Sequence, residues 1–143
     1  MWNEQLTVID KQKTPLLAAN RWGKIHHIDL VNEGINLVYC YEQGAEKYYL
    51  RLTHAKLRSK DELQAAMAYQ IHLFENGAPV CEPVKSQDDL WFESVWQGEH
   101  EFLAHVCKEV PGQPITFDSS DINLYKKWGS ALGRLHHAAS SYE

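Results

Sequence analysis

Gly34 and Asn36, in the stretch Asn32-Glu33-Gly34-Ile35-Asn36, have the chemistry of an anion site. A glycine lets backbone amides approach a phosphate closely, and an asparagine side chain adds another N–H donor. Arg51, inside Tyr48-Tyr49-Leu50-Arg51-Leu52, becomes a fixed cation if that segment is a strand, because period-two alternation turns it away from the two leucines. Read locally, each feature has a plainer meaning, the first an ordinary turn and the second a solvent-facing strand arginine. Composition limits the anion to a small one. The 143-residue chain carries a formal charge of −5 and no dense Lys/Arg block, which excludes a broad nucleic-acid or anionic-membrane footprint.

Several elements must position these residues. From Ile25 to Leu52 the chain is rich in β-branched and aromatic residues and is broken at Asn32-Glu33-Gly34 and at Gln43-Gly44-Ala45-Glu46, which predicts three consecutive antiparallel strands. Ser59-Lys60-Asp61-Glu62 has the form of a capping box, and Leu63, Met67, Ile71 and Phe74 follow at helical spacing until Asn76-Gly77. Two further strands are expected around Leu90–Trp96 and Glu101–Lys108, separated by Gln97-Gly98-Glu99-His100. Pro111-Gly112-Gln113-Pro114 marks a hinge. After cap candidates at Asp118-Ser119-Ser120-Asp121, Tyr125, Trp128, Leu132, Leu135 and Ala139 define one face of a last helix. The expectation is an α+β chain: a five-stranded antiparallel sheet with one main helix over residues 1–110, then a hinge and a helix over 111–143. The second part is too short to bury a core of its own, so a truncated second lobe is expected.

In order and motif the chain resembles the aminoglycoside phosphotransferase and choline kinase superfamily, a two-lobed relative of the protein kinases. The resemblance is carried by Asn32-Glu33-Gly34-Ile35-Asn36-Leu37-Val38-Tyr39, by Tyr48-Tyr49-Leu50-Arg51-Leu52, by the helix end Leu73-Phe74-Glu75-Asn76-Gly77-Ala78-Pro79-Val80, and by Leu132-Gly133-Arg134-Leu135-His136, with Val110-Pro111-Gly112 at the hinge. It implies a protein-kinase-like N-lobe that binds ATP with Mg²⁺ and serves γ-phosphoryl transfer to a hydroxyl of a small molecule. On this reading Gly34 and Asn36 lie over the phosphates, Arg51 pairs with them, and the hinge segment Val106–Val110 offers the Lys108 carbonyl and the Val110 amide to the adenine edge. The helix glutamate that holds the strand cation in relatives falls at position 66, which here is Ala66. Glu62 lies one turn earlier, but the capping box claims it. The catalytic loop and the metal-binding residues of the family are not found in the sequence, so this chain by itself is predicted to be inactive.

Two other readings stand beside the kinase. One is a non-catalytic, kinase-like binding or assembly module, motivated by Ala66; the other is an α+β domain whose resemblance is only architectural. Cys40, Cys81 and Cys107 are odd in number and lack C-x-x-C spacing, which indicates neither a disulfide framework nor a zinc site and fits a reducing cytoplasm. The adjacent pairs His26-His27 and His136-His137 point in different directions on any regular element, and no G-x-S-x-G elbow is present. The N-terminus has no signal-peptide pattern and no apolar run is long enough to span a bilayer. Expected partners are a nucleotide and an unidentified small-molecule substrate, with neither nucleic acid nor membrane. A homodimer through the apolar face of Trp128, Leu132 and Leu135 is a further expectation.

Overall fold

The alternation between Ile25 and Leu52 folds as anticipated in the computed structural model of the protein, which describes residue 4, residues 7–113 and residues 121–143. A short helix, α1 (Lys13–Ala19), leads into β1 (Asp29–Glu33), β2 (Leu37–Gln43) and β3 (Glu46–His54). Helix α2 (Lys60–Glu75) follows, then β4 (Pro83–Val84), β5 (Glu93–Gln97), β6 (His100–Lys108) and helix α3 (Ile122–Ala139). All strand pairs are antiparallel, in the order β1-β2-β3-β6-β4, with β5 also on β6. The sheet thus has six strands rather than the five expected, because the two-residue β4 is too short for alternation to reveal. Gln43 pairs with Glu46 and Gln97 with His100, so two residues turn each hairpin. Gly44 and Gly98 supply the positive φ those turns require, +66° and +58°.

Alternation divides the sheet into two faces. Leu37, Tyr39, Leu50, Leu52, Phe102 and Val106 pack with Ala18 and Ala19 of α1 to form the main core. Helix α1 was not anticipated; it is only seven residues long, and long-range bonds fasten its approach. The Gln97 side chain accepts from the Asp10 amide at 2.7 Å and from the Thr14 hydroxyl, and donates to the Val8 carbonyl at 2.6 Å. On the other face Leu103 meets Leu63 and Met67 of α2. The buried stripe of α2 ends on Leu73, while Phe74 is exposed.

Both halves of the capping box form: the Ser59 hydroxyl accepts from the Glu62 amide at 3.2 Å, and the Glu62 carboxylate accepts from the Ser59 amide at 2.8 Å. Those bonds from Ser59 hold the Glu62 carboxyl below its ordinary range. Ser59→Ala is expected to destabilise the protein by about 1 kcal/mol, seen as a lower urea midpoint at unchanged slope. An unshifted midpoint would show that the cap contributes nothing.

Helix α3 starts at Asp121, whose carboxylate accepts from the Asn123 amide at 2.9 Å; the cap candidates Asp118, Ser119 and Ser120 lie outside the described residues. Its expected apolar face is divided. Leu135, Ala138 and Ala139 pack on Leu73, Ala78 and Val80, and the His72 ring bonds to the Ala138 carbonyl at 2.9 Å. Tyr125, Trp128 and Leu132 are exposed. No helix among the described residues is long and apolar enough to cross a membrane.

Candidate functional site

The face of the sheet that carries Leu103 is only partly covered by α2, and beyond its cover a cleft of about 340 Å³ opens. Strand register explains its lining. Arg51 is opposite His105 and Tyr49 is opposite Cys107, so all four share the parity of Thr53 and Leu103. Gln70 of α2 and Cys81, just before β4, form another wall, and Lys108, Glu109 and Val110 form the rim. Of the five residues singled out as phosphate or adenine contacts, Arg51, Lys108 and Val110 line this cleft, while Gly34 and Asn36 lie outside its lining on the β1–β2 loop.

Arg51 is exposed, in contrast to Leu50 and Leu52, which are sealed in the core. Among the described residues it makes no ion pair. Ala66 offers it none, and Glu62 is engaged with Ser59. One turn beyond Ala66, Gln70 points its amide nitrogen at the Cys81 carbonyl (3.2 Å), the Cys81 sulfur (3.2 Å) and the Cys107 sulfur (3.3 Å). The guanidinium is therefore a cation available to a ligand.

The surrounding titratable groups respond to that charge. Burial, reinforced by the Arg51 and Arg58 charges, pushes the His105 imidazole down to about 4, so the ring is neutral. A hydrogen bond from the Cys107 thiol, opposed by burial and aided by Arg51, brings the Cys81 thiol down to about 6. Cys107 moves far up, first because it donates to Cys81 and second because it is buried. Neither cysteine nor His105 was anticipated at the site. The parity of β6 with Leu103 was the available signal, but 26 residues of sequence separate the two thiols.

At the rim, the Glu109 amide donates to the Lys47 carbonyl at 2.9 Å and so faces β3, whereas the Lys108 amide donates to the Glu82 carbonyl at 2.9 Å on the opposite edge. Alternation along an extended chain places the Lys108 carbonyl and the Val110 amide on that opposite edge, past the point where β4 ends. Among the described residues the Val110 amide has no partner. The Lys108 ammonium is held by Glu82 at 3.3 Å and Glu46 at 3.8 Å, and the Glu82 hydrogen bond is the first cause of its raised pKa.

On the β1–β2 loop, the Asn36 side-chain oxygen accepts from the Thr53 hydroxyl at 2.6 Å, which fixes the amide and leaves its nitrogen to donate elsewhere. The Gly34 amide is spent on the Asn36 carbonyl at 3.1 Å. A Cβ at Gly34 would meet nothing nearer than the Asn32 side-chain nitrogen at 3.7 Å, so the loop itself tolerates a larger residue there.

The chain belongs to the aminoglycoside phosphotransferase-like kinases, and its antiparallel sheet with one main helix has the fold of their N-terminal lobe. Among known proteins it is 31% identical over 130 residues to amicoumacin kinase of Bacillus subtilis (strain 168), an alignment spanning 88% of this chain and 38% of that one. Among solved structures, amicoumacin kinase hAmiN in complex with AMP-PNP, Ca²⁺ and Ami superposes with a TM-score of 0.84 at 25% identity, over 100% of this chain and 44% of that one. A microcompartment-associated aminopropanol kinase matches in fold with a TM-score of 0.67 at 16% identity, over 98% of this chain and 40% of that one. No protein-family model matches the chain. The chain spans well under half the length of these relatives.

Proposed function

We propose that this chain is the ATP-binding lobe of a small-molecule kinase that transfers the γ-phosphoryl group to a hydroxyl, with residues 1–110 as the nucleotide-binding lobe and 111–143 as the hinge and first helix of the substrate lobe. The observation that carries the reading is the Arg51 guanidinium, without an ion pair among the described residues, facing a cleft of about 340 Å³ whose rim carries the Val110 amide, likewise without a partner among them. The residues fit a nucleotide. The Lys108 carbonyl would accept from the adenine amino group and the Val110 amide would donate to a ring nitrogen. Arg51 would meet the phosphates, and the Asn36 amide nitrogen, oriented by Thr53, would donate to them from the loop above. Gly34 leaves room for a ligand beneath the loop. The Mg²⁺–nucleotide supplies the phosphoryl group and neutralises part of its charge. The catalytic base and metal ligands of the active kinase would come from outside this chain, which alone would not transfer phosphate. The AMP-PNP complex of the structural relative supports nucleotide use, and the setting proposed for the protein is the cytoplasm.

Ala66 favours a second reading, a kinase-like module that assembles or binds without catalysis. Calorimetric titration of MgATP separates the two. Saturable, roughly millimolar binding is expected, and Val110→Pro, which deletes a single N–H donor on an exposed residue, should weaken it by about 5- to 10-fold. Absence of binding by the unmodified chain would favour the second reading.

A further inference from the structure

Cys81 and Cys107 meet inside the cleft without a structural reason to do so. Neither belongs to a hydrophobic cluster, both are only partly buried, and both line the space assigned above to the nucleotide. The Gln70 amide nitrogen lies 3.2 Å from one sulfur and 3.3 Å from the other, so both thiols face a single shared donor. Pairing of Glu82 with Lys108 and of Pro83 with Cys107 holds their backbones on neighbouring segments. Cys81 lies before β4 rather than in it, and its carbonyl accepts from Gln70 rather than from the ladder.

We propose that Cys81 and Cys107 form a thiol–disulfide exchange site that takes low-molecular-weight disulfides of the glutathione type and closes to an intramolecular disulfide that obstructs the cleft. The obstruction rests on the nucleotide reading above; the exchange chemistry does not. Cys81, as thiolate, attacks one sulfur of the small disulfide; that S–S bond breaks, one small thiolate leaves, and a mixed disulfide remains on Cys81. Cys107 then gives up its proton to solvent and attacks the Cys81 sulfur, expelling the second small thiolate. Two protein thiols are thereby oxidised by two electrons, and one small disulfide is reduced to two thiols.

The cleft suits both steps. The Cys107 thiol first, then the Arg51 charge and the Gln70 amide at 3.2 Å, bring the Cys81 thiol down to about 6 against the opposing effect of burial. Cys107 is held protonated chiefly by its donation to Cys81. Capping Cys81 removes that cause; burial still opposes the Cys107 thiolate, while Gln70 and Arg51 favour it. Capping of Cys81 therefore lowers the barrier to ionising the resolving thiol.

Oxidised glutathione added to the whole chain, followed by intact-mass and peptide mapping, tests the proposal. Expected is the loss of two hydrogens with a Cys81–Cys107 linked peptide, while Cys40 remains a free thiol. Cys107→Ser should stop at a glutathione adduct on Cys81, and Cys81→Ser should react at least about 10-fold more slowly. A persistent adduct on the unmodified chain, a link through Cys40, or an unchanged rate in Cys81→Ser would overturn the exchange site. MgATP should slow the reaction, and the oxidised chain should bind MgATP at least about 10-fold more weakly. Equal affinity before and after oxidation would overturn the obstruction. A disulfide that forms in a chain with no MgATP affinity would sustain the exchange site and reject the nucleotide reading.

Discussion

Replacing Arg51 by alanine is expected to weaken MgATP binding about 10- to 100-fold, because one or two charge-assisted hydrogen bonds to phosphate are worth about 1.5–3 kcal/mol. The same change should move stability by no more than about 0.5 kcal/mol, since the side chain is exposed and, among the described residues, has no ion-pair partner. Most strand cations of this type would be costly to remove because a helix carboxylate would be stranded. Here position 66 is alanine and Glu62 is bound to Ser59, so no such penalty arises. Arg51→Lys should recover part of the affinity, as a point charge replaces a planar fork. Arg51→Ala should also raise the His105 and Cys81 pKa values, both of which its charge lowers. Isothermal titration of the variants measures the affinity, and an unchanged dissociation constant for Arg51→Ala would remove Arg51 from the site.

The fold was legible wherever a local pattern forces one structure. Ser59 and Glu62 can satisfy each other's amides only at a helix start, Gly44 and Gly98 sit where two-residue hairpins need positive φ, and Leu50 and Leu52 oppose Arg51 by alternation alone. What escaped depends on contacts distant in sequence. Helix α1 is fastened by Gln97, more than eighty residues away, and β4 exists because Cys107 and Val106 offer it an edge. The candidate site divided the same way. The place of Arg51 was readable from alternation, and Lys108 and Val110 from the resemblance, but Gln70, Cys81, His105 and Cys107 come together only when α2, the approach to β4, and β6 are packed. The stripe on α3 shows the converse limit. Its period is helical throughout, yet among the described residues of the stripe it is Leu135, Ala138 and Ala139 that join a buried apolar cluster, because α2 ends at Glu75 and meets α3 through its last turn and the segment after it.

Acidification from pH 6.5 to 4 should cost the protein about 3 kcal/mol through His105 alone, given a folded-state pKa of about 4 against an ordinary value of 6.5. The ring is 5% exposed, its Nδ1 has no hydrogen-bond partner among the described residues, and Arg51 stands directly across the strand pair, so a second positive charge there is opposed by burial and by repulsion. Because the folded pKa is depressed, the unfolded chain binds a proton in that window that the folded chain refuses. Stability is therefore fully present above about pH 6.5 and falls as the pH drops toward 4. His54 acts in the same direction: its pKa is lowered by burial, and its Nδ1 must remain an acceptor for the Lys56 amide at 3.0 Å. The carboxyls of Glu62, Glu101 and Asp10, all held below their ordinary values, lose their contribution lower in pH, below about 4.5. His105→Leu should thus flatten, without abolishing, the dependence between pH 6.5 and 4.5 in urea unfolding, leaving the His54 share. Parallel stability curves for the two proteins would show that His105 is protonated in the folded state, and would contradict a neutral histidine facing Arg51. A flattened curve would establish that His105 stays uncharged beside Arg51 in the folded protein.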